Sequence, residues 1–387
     1  MFLLDAPYVS DLMLKTVERL KQPVLDIPGA RKFTEGRDIE LVDNIEFAAR
    51  LAVGQRVLSN SENALAHIFD CGCYDELVKQ IDICKDKALF RETVTDLHPD
   101  YAFKRVRPED MDTIDISDMP VPFVVKPARG FFSLGVHVVN DHAQWPEVVQ
   151  TIRDEREKMN AEYPEAVVNA GEFLIEEGIE GDEYAIDVYY DENGEPVITN
   201  ILFHHFVSDD DISDRLYYTS TRIIRNWLEP FTEYTAQLGK VCGFRNFPMH
   251  LEVRVDEQGH IQPIEANPLR FAGWCVADIT IHAWGFNPYE YFFENKRPDW
   301  SGLLAEHKGE VTVMVIGDVP SGVEKSSITS VDYEGFQSMF SNVLELRKID
   351  YSEYPVFGFA FARMDQDSLQ ELKQTLTTDF ARFLTTK

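Results

Sequence analysis

The spacing of apolar positions changes repeatedly along this chain, and each change marks an element. An apolar run at residues 2–4 is followed by residues 11–20, where Leu12, Val17 and Leu20 recur at helical spacing, and then by a second apolar run at 23–27. Residues 56–58 give another short strand pattern, and Ser61 reads as the N-cap of a helix reaching Phe69. This alternation predicts a small α/β unit with parallel strands over residues 1–86.

Beyond it the pattern changes. Residues 85–91 open a helix that carries Lys87, and the acidic, proline-bearing stretch 108–122 reads as a connector. Phe123, Val124 and Val125 form a buried strand ending in Lys126. Pro127 is expected to stop its ladder pairing, and apolar residues return at Val136, Val138 and Val139. Residues 145–159 read as a charged helix and 160–171 as a loop. Strands are expected at 173–175, 184–190 and 197–206, the last two joined by the turn Asn193-Gly194. Residues 208–227 look irregular, and a helix at 231–241 stops at Gly243. From about 301 onward, strands at 311–316, 343–349 and 354–361 and a closing helix at 367–384 predict a further α+β unit.

The sharpest signal is a second hairpin. Residues 250–255 alternate cleanly, Asp256 to Gly259 turn, and 261–267 return. A loop of two or four residues puts Glu252 and Glu265 on one face, opposite or a diagonal step apart, with His250 and Asn267 beside them. Two carboxylates and an amide are hard oxygen ligands suited to Mg²⁺. The competing reading is a solvated acidic face, although like charges side by side destabilise a sheet unless something neutralises them. A zinc site at His250 and Glu252 fits less well with such ligands.

Composition narrows the chemistry. The 387 residues allow two or three packed units. A formal net charge of -30 argues against nucleic acid or an anionic membrane surface as partner, and makes each basic cluster informative. The N-terminus has no basic region before its apolar run, so no signal peptide is expected, and no apolar stretch has the length of a membrane span. The five cysteines are scattered, and Cys71 and Cys73 lack the second pair of a zinc site, so reduced thiols in a cytoplasmic protein are expected.

One loop concentrates features of a polyanion site. Gly130, Ser133 and Gly135 allow close backbone approach, while Lys126 and Arg129 add charge. An ordinary glycine-bearing hairpin is the plain alternative, and Lys87 alone could be a solvated helix charge. Arg270, followed by Gly273 in RFAGW, is placed to hold an anionic substrate group, although Phe271 and Trp274 equally suit a core.

In order and spacing, these pieces resemble the ATP-grasp superfamily over residues 87–274. The resemblance implies an α+β ATP-grasp domain at 87–300, with a flap subdomain at about 115–178, flanked by the α/β unit 1–86 and the α+β unit 301–387. It makes Lys87 and Lys126 the phosphate lysines and residues 128–135 the flap over the triphosphate. It makes Glu176, Glu177 and Ile179 the adenine hinge, Glu183 the ribose carboxylate, and Glu252, Glu265 and Asn267 the Mg²⁺ (or Mn²⁺) ligands. The HxE…ExN pattern and RFAGW look like carboxylate–amine ligases similar to L-amino-acid ligases. Those usually read Asn-x-Arg, whereas this chain reads Asn267-Pro268-Leu269-Arg270, one residue longer. The resemblance implies ATP as cosubstrate, a small acid and an amine as substrates, and leaves a homodimer open as the assembly. Carboxylation, phosphoryl transfer to another acceptor, and a silent nucleotide-binding module are the rival functions.

Overall fold

The computed structural model describes residues 1–70, 75–129, 135–162, 171–206, 215–307, 309–365 and 369–387. Cys71, Cys73, Gly130 and Ser133 lie outside them.

The N-terminal unit is a four-stranded parallel sheet, in the order Leu41–Val42, Val24–Leu25, Phe2–Leu3, Leu58–Ser59. Helix Asp11–Leu20 starts where the Ser10 side chain accepts from the Met13 N–H, and it buries Met13, Leu14 and Val17 against the sheet. Ser61 is not a cap. A 3₁₀ turn, Asn63–Leu65, precedes helix Ala66–Asp70, while the Ser61 N–H donates to Ser59 Oγ in a tight local turn.

A second sheet is antiparallel, in the order Phe103–Val106, Phe173–Glu177, Phe123–Pro127, His137–Val139. Pro127 stays in the ladder opposite Phe173, its missing N–H falling at the strand's last pair. Helix Trp145–Glu162 covers this sheet, packing Trp145, Val149 and Ile152 with Phe123 and Val125.

The largest sheet has eight strands in the order Ile261–Pro268, Phe247–Val255, Asp182–Tyr190, Pro196–His204, Leu216–Ser220, Glu310–Asp318, Val356–Asp365, Val343–Lys348. Its pairing runs across residue 300 without a break, since Leu216 faces Val315 and Ser220 faces Val311. The stretch read as irregular holds strand Leu216–Ser220 and the first part of helix Thr221–Cys242. Pro230 sits inside that helix rather than at its start. The buried stripe Ile223, Ile224, Phe231, Tyr234, Leu238 continues straight past it, and Ser220 provides the cap. The closing helix is also shorter than expected. It runs Leu369–Thr377, after which Asp379 caps the 3₁₀ turn Phe380–Phe383 and strand Leu384–Thr386 pairs with Ile328–Val331. Phe380 and Phe383 leave the helical pattern to pack on Phe336. Among the described residues, no helix is long and apolar enough to cross a membrane.

Candidate active site

The hairpin Phe247–Val255/Ile261–Pro268 places Glu252 directly opposite Glu265 and His250 opposite Asn267. The route to that register differs from the expected one. Val255 pairs with Ile261, so the connection is residues 256–260, and an odd loop alone would carry Glu252 opposite Ile264. A bulge intervenes, because Val253 faces Pro263 while Glu252 faces Glu265. The extra residue, Ile264, restores the carboxylate pair.

Both carboxylates already have a donor beside them. Lys87 Nζ donates to Glu265 Oε1 at 3.1 Å, and Asn267 Nδ2 donates to Glu252 Oε1 at 3.2 Å. His250 Nε2 lies 3.6 Å from Glu252 Oε1, while Nδ1 meets Asp187 Oδ1 at 2.8 Å. Burial opposes the Glu265 charge, but the ammonium groups of Lys87, Lys85 and Lys126 together hold the carboxyl below its ordinary range. Burial pulls Lys87 down, and Glu265 more than compensates. Among the described residues, no three His, Cys, Asp or Glu side chains form a metal cluster. Two carboxylates and an amide nonetheless fit a hard divalent cation that takes its remaining oxygens from phosphate or water.

Lys87 opens helix Lys87–Thr93, whose N-cap Asp86 accepts from the Leu89 N–H, and the Lys87 N–H donates to Ala128 O at 2.8 Å. That bond joins the lysine's helix to the end of the strand carrying Lys126. The Lys126 ammonium lies 2.6 Å from Glu176 Oε1, and Arg91 Nε donates to Glu176 Oε2 at 2.6 Å. All three side chains are buried. Burial opposes the Glu176 charge, yet Arg91 and Lys126 bring its carboxyl down to about 2. Lys126 is depressed by burial first, then by Arg91 and Lys87. The side chain of Glu176 is therefore committed to two cations, and residues 177–179 follow at the end of its strand. There the Glu177 N–H donates to Ala102 O, Tyr101 OH to Glu177 O, and the Gly178 N–H to Pro122 O at 2.8 Å.

Arg254 ties Ile179 to Glu183. Its Nη1 donates to Ile179 O at 2.6 Å and its Nε to Glu183 Oε2 at 3.2 Å, while His204 Nδ1 meets Glu183 Oε1 at 2.9 Å. Arg129 turns elsewhere, to Asp82 at 3.1 Å and Asp86 at 3.5 Å. Gly135 takes φ 71°, a left-handed conformation that favours glycine.

Past Asn267 the chain bends sharply. Leu269, Trp274 and Cys275 all have positive φ (56°, 50° and 60°), and the residue that lengthens the Asn-to-Arg spacing is absorbed at this bend. Arg270 Nη2 lies 3.4 Å from Glu62 Oε1, and Glu62 also pairs with Lys85. Burial opposes the Glu62 charge, but Lys85 and Arg270 hold the carboxyl at about 2. Gly273 lies against the guanidinium, since a Cβ there would stand 3.4 Å from Arg270 Nη1.

Sequence reasoning singled out Lys87, Glu265, Glu252 and Asn267, which the fold brings together, with Lys126 and Glu176 beside them. It missed Arg91, Glu62, Lys85 and Asp187. The one local signal for Arg91 is its spacing of four from Lys87, which puts both on one helix face.

Residues 119–278 match the family model of the ATP-grasp domain, and the chain carries this domain. No curated protein matches the sequence. Among solved structures, L-amino acid ligase from Bacillus licheniformis is similar, with a TM-score of 0.68 at 15% identity over 100% of this chain and 97% of that one. N5-carboxyaminoimidazole ribonucleotide synthetase from Thermotoga maritima gives 0.63 at 16% identity, covering 97% of this chain and 95% of that one. The biotin carboxylase domain of Hydrogenobacter thermophilus 2-oxoglutarate carboxylase, described as a dimer in complex with MgADP, gives 0.63 at 12%, covering 97% and 87%. The architecture is the ATP-grasp fold.

Proposed function

We propose that this protein is an ATP-dependent carboxylate–amine ligase, which activates a small carboxylic acid, an amino acid by preference, as an acyl phosphate. One carboxylate oxygen of the acid attacks the γ-phosphorus of ATP and ADP leaves. The amine then attacks the acyl carbon, loses a proton, and phosphate departs with the oxygen it gained. The observation that carries this reading is the pairing of Glu252 with Glu265, with the Lys87 ammonium 3.1 Å from the second carboxylate. That arrangement suits anionic phosphate on one side and a hard cation on the other.

Roles follow from position. Lys87 and Lys126 bind phosphate oxygens by charge-assisted hydrogen bonds. Arg129, Gly130, Ser133 and Gly135 belong to the covering loop. The backbone of Glu177 and Ile179 receives adenine, with Glu176 supporting it through Lys126 and Arg91. Glu183 accepts from the ribose hydroxyls in place of one of its present partners. Glu252, Glu265 and Asn267 would hold Mg²⁺ or Mn²⁺ through their side-chain oxygens. When bound, the cation neutralises charge developing on the β- and γ-phosphates. Arg270, backed by Gly273, steadies the oxyanion formed as the amine adds. The buried thiols Cys84, Cys242 and Cys275 are unbridged, which supports a reducing cytoplasmic setting.

Screening pairs of amino acids for phosphate release, with mass detection of the condensed product, tests this reading. Condensed product together with ADP is expected. A second reading, activation of bicarbonate for carboxylation, draws on the likeness to the Thermotoga and Hydrogenobacter proteins. Phosphate release that requires bicarbonate and yields no condensed product favours it.

A further inference from the structure

Asp187 is fully buried in strand Asp182–Tyr190, directly opposite His250 of the neighbouring strand. Among the described residues, no lysine or arginine pairs with it. Its Oδ1 accepts two hydrogen bonds at 2.8 Å, from His250 Nδ1 and from the Ala272 N–H, while its Oδ2 has no partner among the described residues. Taking an isolated carboxylate out of water is costly, so its retention here asks for a compensating role.

The two bonds reach in opposite directions. The His250 bond fixes the imidazole ring, whose Nε2 lies 3.6 Å from Glu252 Oε1. A carboxylate that orients an imidazole beside a metal ligand has the geometry of an outer support for a metal site. The Ala272 bond lands inside the bend that carries Arg270, between Leu269 and Trp274, both in the left-handed region that non-glycine residues rarely adopt. Such backbone persists only where its surroundings pin it. Two pins are evident: the Ser59 N–H donating to Leu269 O at 2.6 Å, and Asp187 accepting from Ala272.

We propose that Asp187 is a positioning residue that sets the metal carboxylates and the Arg270 loop together, acting through His250 on one and through the Ala272 amide on the other. The inference rests on the reading of Glu252 as a metal ligand and adds a coupling between the acid-holding and metal-holding halves of the site. Asp187→Ala removes both bonds. Asp187→Asn keeps an oxygen acceptor but not the charge, and serves if the alanine variant fails to fold.

Two readouts bear on this, and neither requires turnover. Hydrogen–deuterium exchange over residues 269–275 should rise about tenfold in Asp187→Ala and stay close to wild type in Asp187→Asn. Mn²⁺ affinity in the presence of ADP, followed by electron paramagnetic resonance, should fall about 10–100-fold in the alanine variant, with a smaller loss in the asparagine variant. A merely structural aspartate would lower the melting temperature and move neither readout in the folded variant. A folded Asp187→Ala chain with wild-type exchange and wild-type Mn²⁺ affinity overturns the proposal. Absence of Mn²⁺ binding by the wild-type chain with ADP would instead sink the metal assignment, and the exchange data would still judge the role of Asp187 on the loop.

Discussion

Replacing Glu265 with Gln keeps the side-chain volume and removes one charge, and the structure sets the sign of the result. Two carboxylates facing each other on adjacent strands repel, and relieving that repulsion is worth about 0.2–1 kcal/mol. Taken alone, this term predicts a metal-free variant at least as stable as the parent. Lys87 reverses it. Its ammonium donates to Glu265 Oε1 at 3.1 Å, with the two side chains 15% and 28% exposed, so the pair is neither fully solvated nor sealed. A hydrogen bond to a charged group at such a site contributes about 1.5–3 kcal/mol. The glutamine oxygen can still accept from Lys87, which keeps the loss toward the lower end. The net expectation is a destabilisation of about 1 kcal/mol in the metal-free chain, read as a lower urea midpoint with an unchanged slope. Mg·ATP should then stabilise the variant less than wild type in parallel melts, and turnover should be largely lost. A metal-free Glu265→Gln chain that is more stable than wild type would show that Lys87 is not the resident counter-ion of the hairpin.

Lys126→Met should weaken ADP binding by about 1.5–3 kcal/mol, roughly 10–100-fold in calorimetry, because a charge-assisted phosphate contact is lost; unchanged affinity in a folded variant removes Lys126 from the site. Gly178→Ala places a Cβ 2.9 Å from Pro122 O, so the hinge backbone must shift and the KM for ATP should rise more than kcat falls; an unaltered KM contradicts the hinge assignment. Glu176 and Glu62 are held at about 2 in the folded chain, their cationic neighbours outweighing burial, below the ordinary ~4.3 of an unfolded glutamate. Their contribution is thus present above about pH 5 and is lost as pH falls toward 2, so circular dichroism should follow a loss of stability through that window, and a flat urea midpoint from pH 5 to 3 refutes it.

The parts of this molecule legible in the sequence are those written in local periodicity. The alternation at 250–255 and 261–267 exposes a hairpin, and parity alone puts Glu252 and Glu265 on one face for an even loop. The bulge at Ile264 was not legible, because an odd loop and a bulge cancel and leave the same answer; Pro263, which cannot donate to the ladder, is the one local sign of irregular pairing. The helix expected from 231 starts at Thr221, since Pro230 lies inside it and the apolar stripe on either side belongs to one helix. The continuation of the large sheet across residue 300 depends on pairings such as Leu216 with Val315, which no window of sequence contains. The same holds for Arg91 with Glu176 and Arg270 with Glu62: Arg91 and Glu62 look like ordinary surface charges until the fold sets them beside their partners.

The central claim is that a carboxylate oxygen of the acid attacks the γ-phosphorus, and isotope transfer tests it without reference to any one residue. The acid that supports condensation, labelled with ¹⁸O in its carboxylate, is turned over with ATP and Mg²⁺, and the phosphate released is examined by ³¹P nuclear magnetic resonance or mass spectrometry. The account predicts one labelled oxygen in inorganic phosphate for each condensed product, with ADP as the nucleotide formed. Label found in AMP, or condensed product beside phosphate carrying no label, would contradict it.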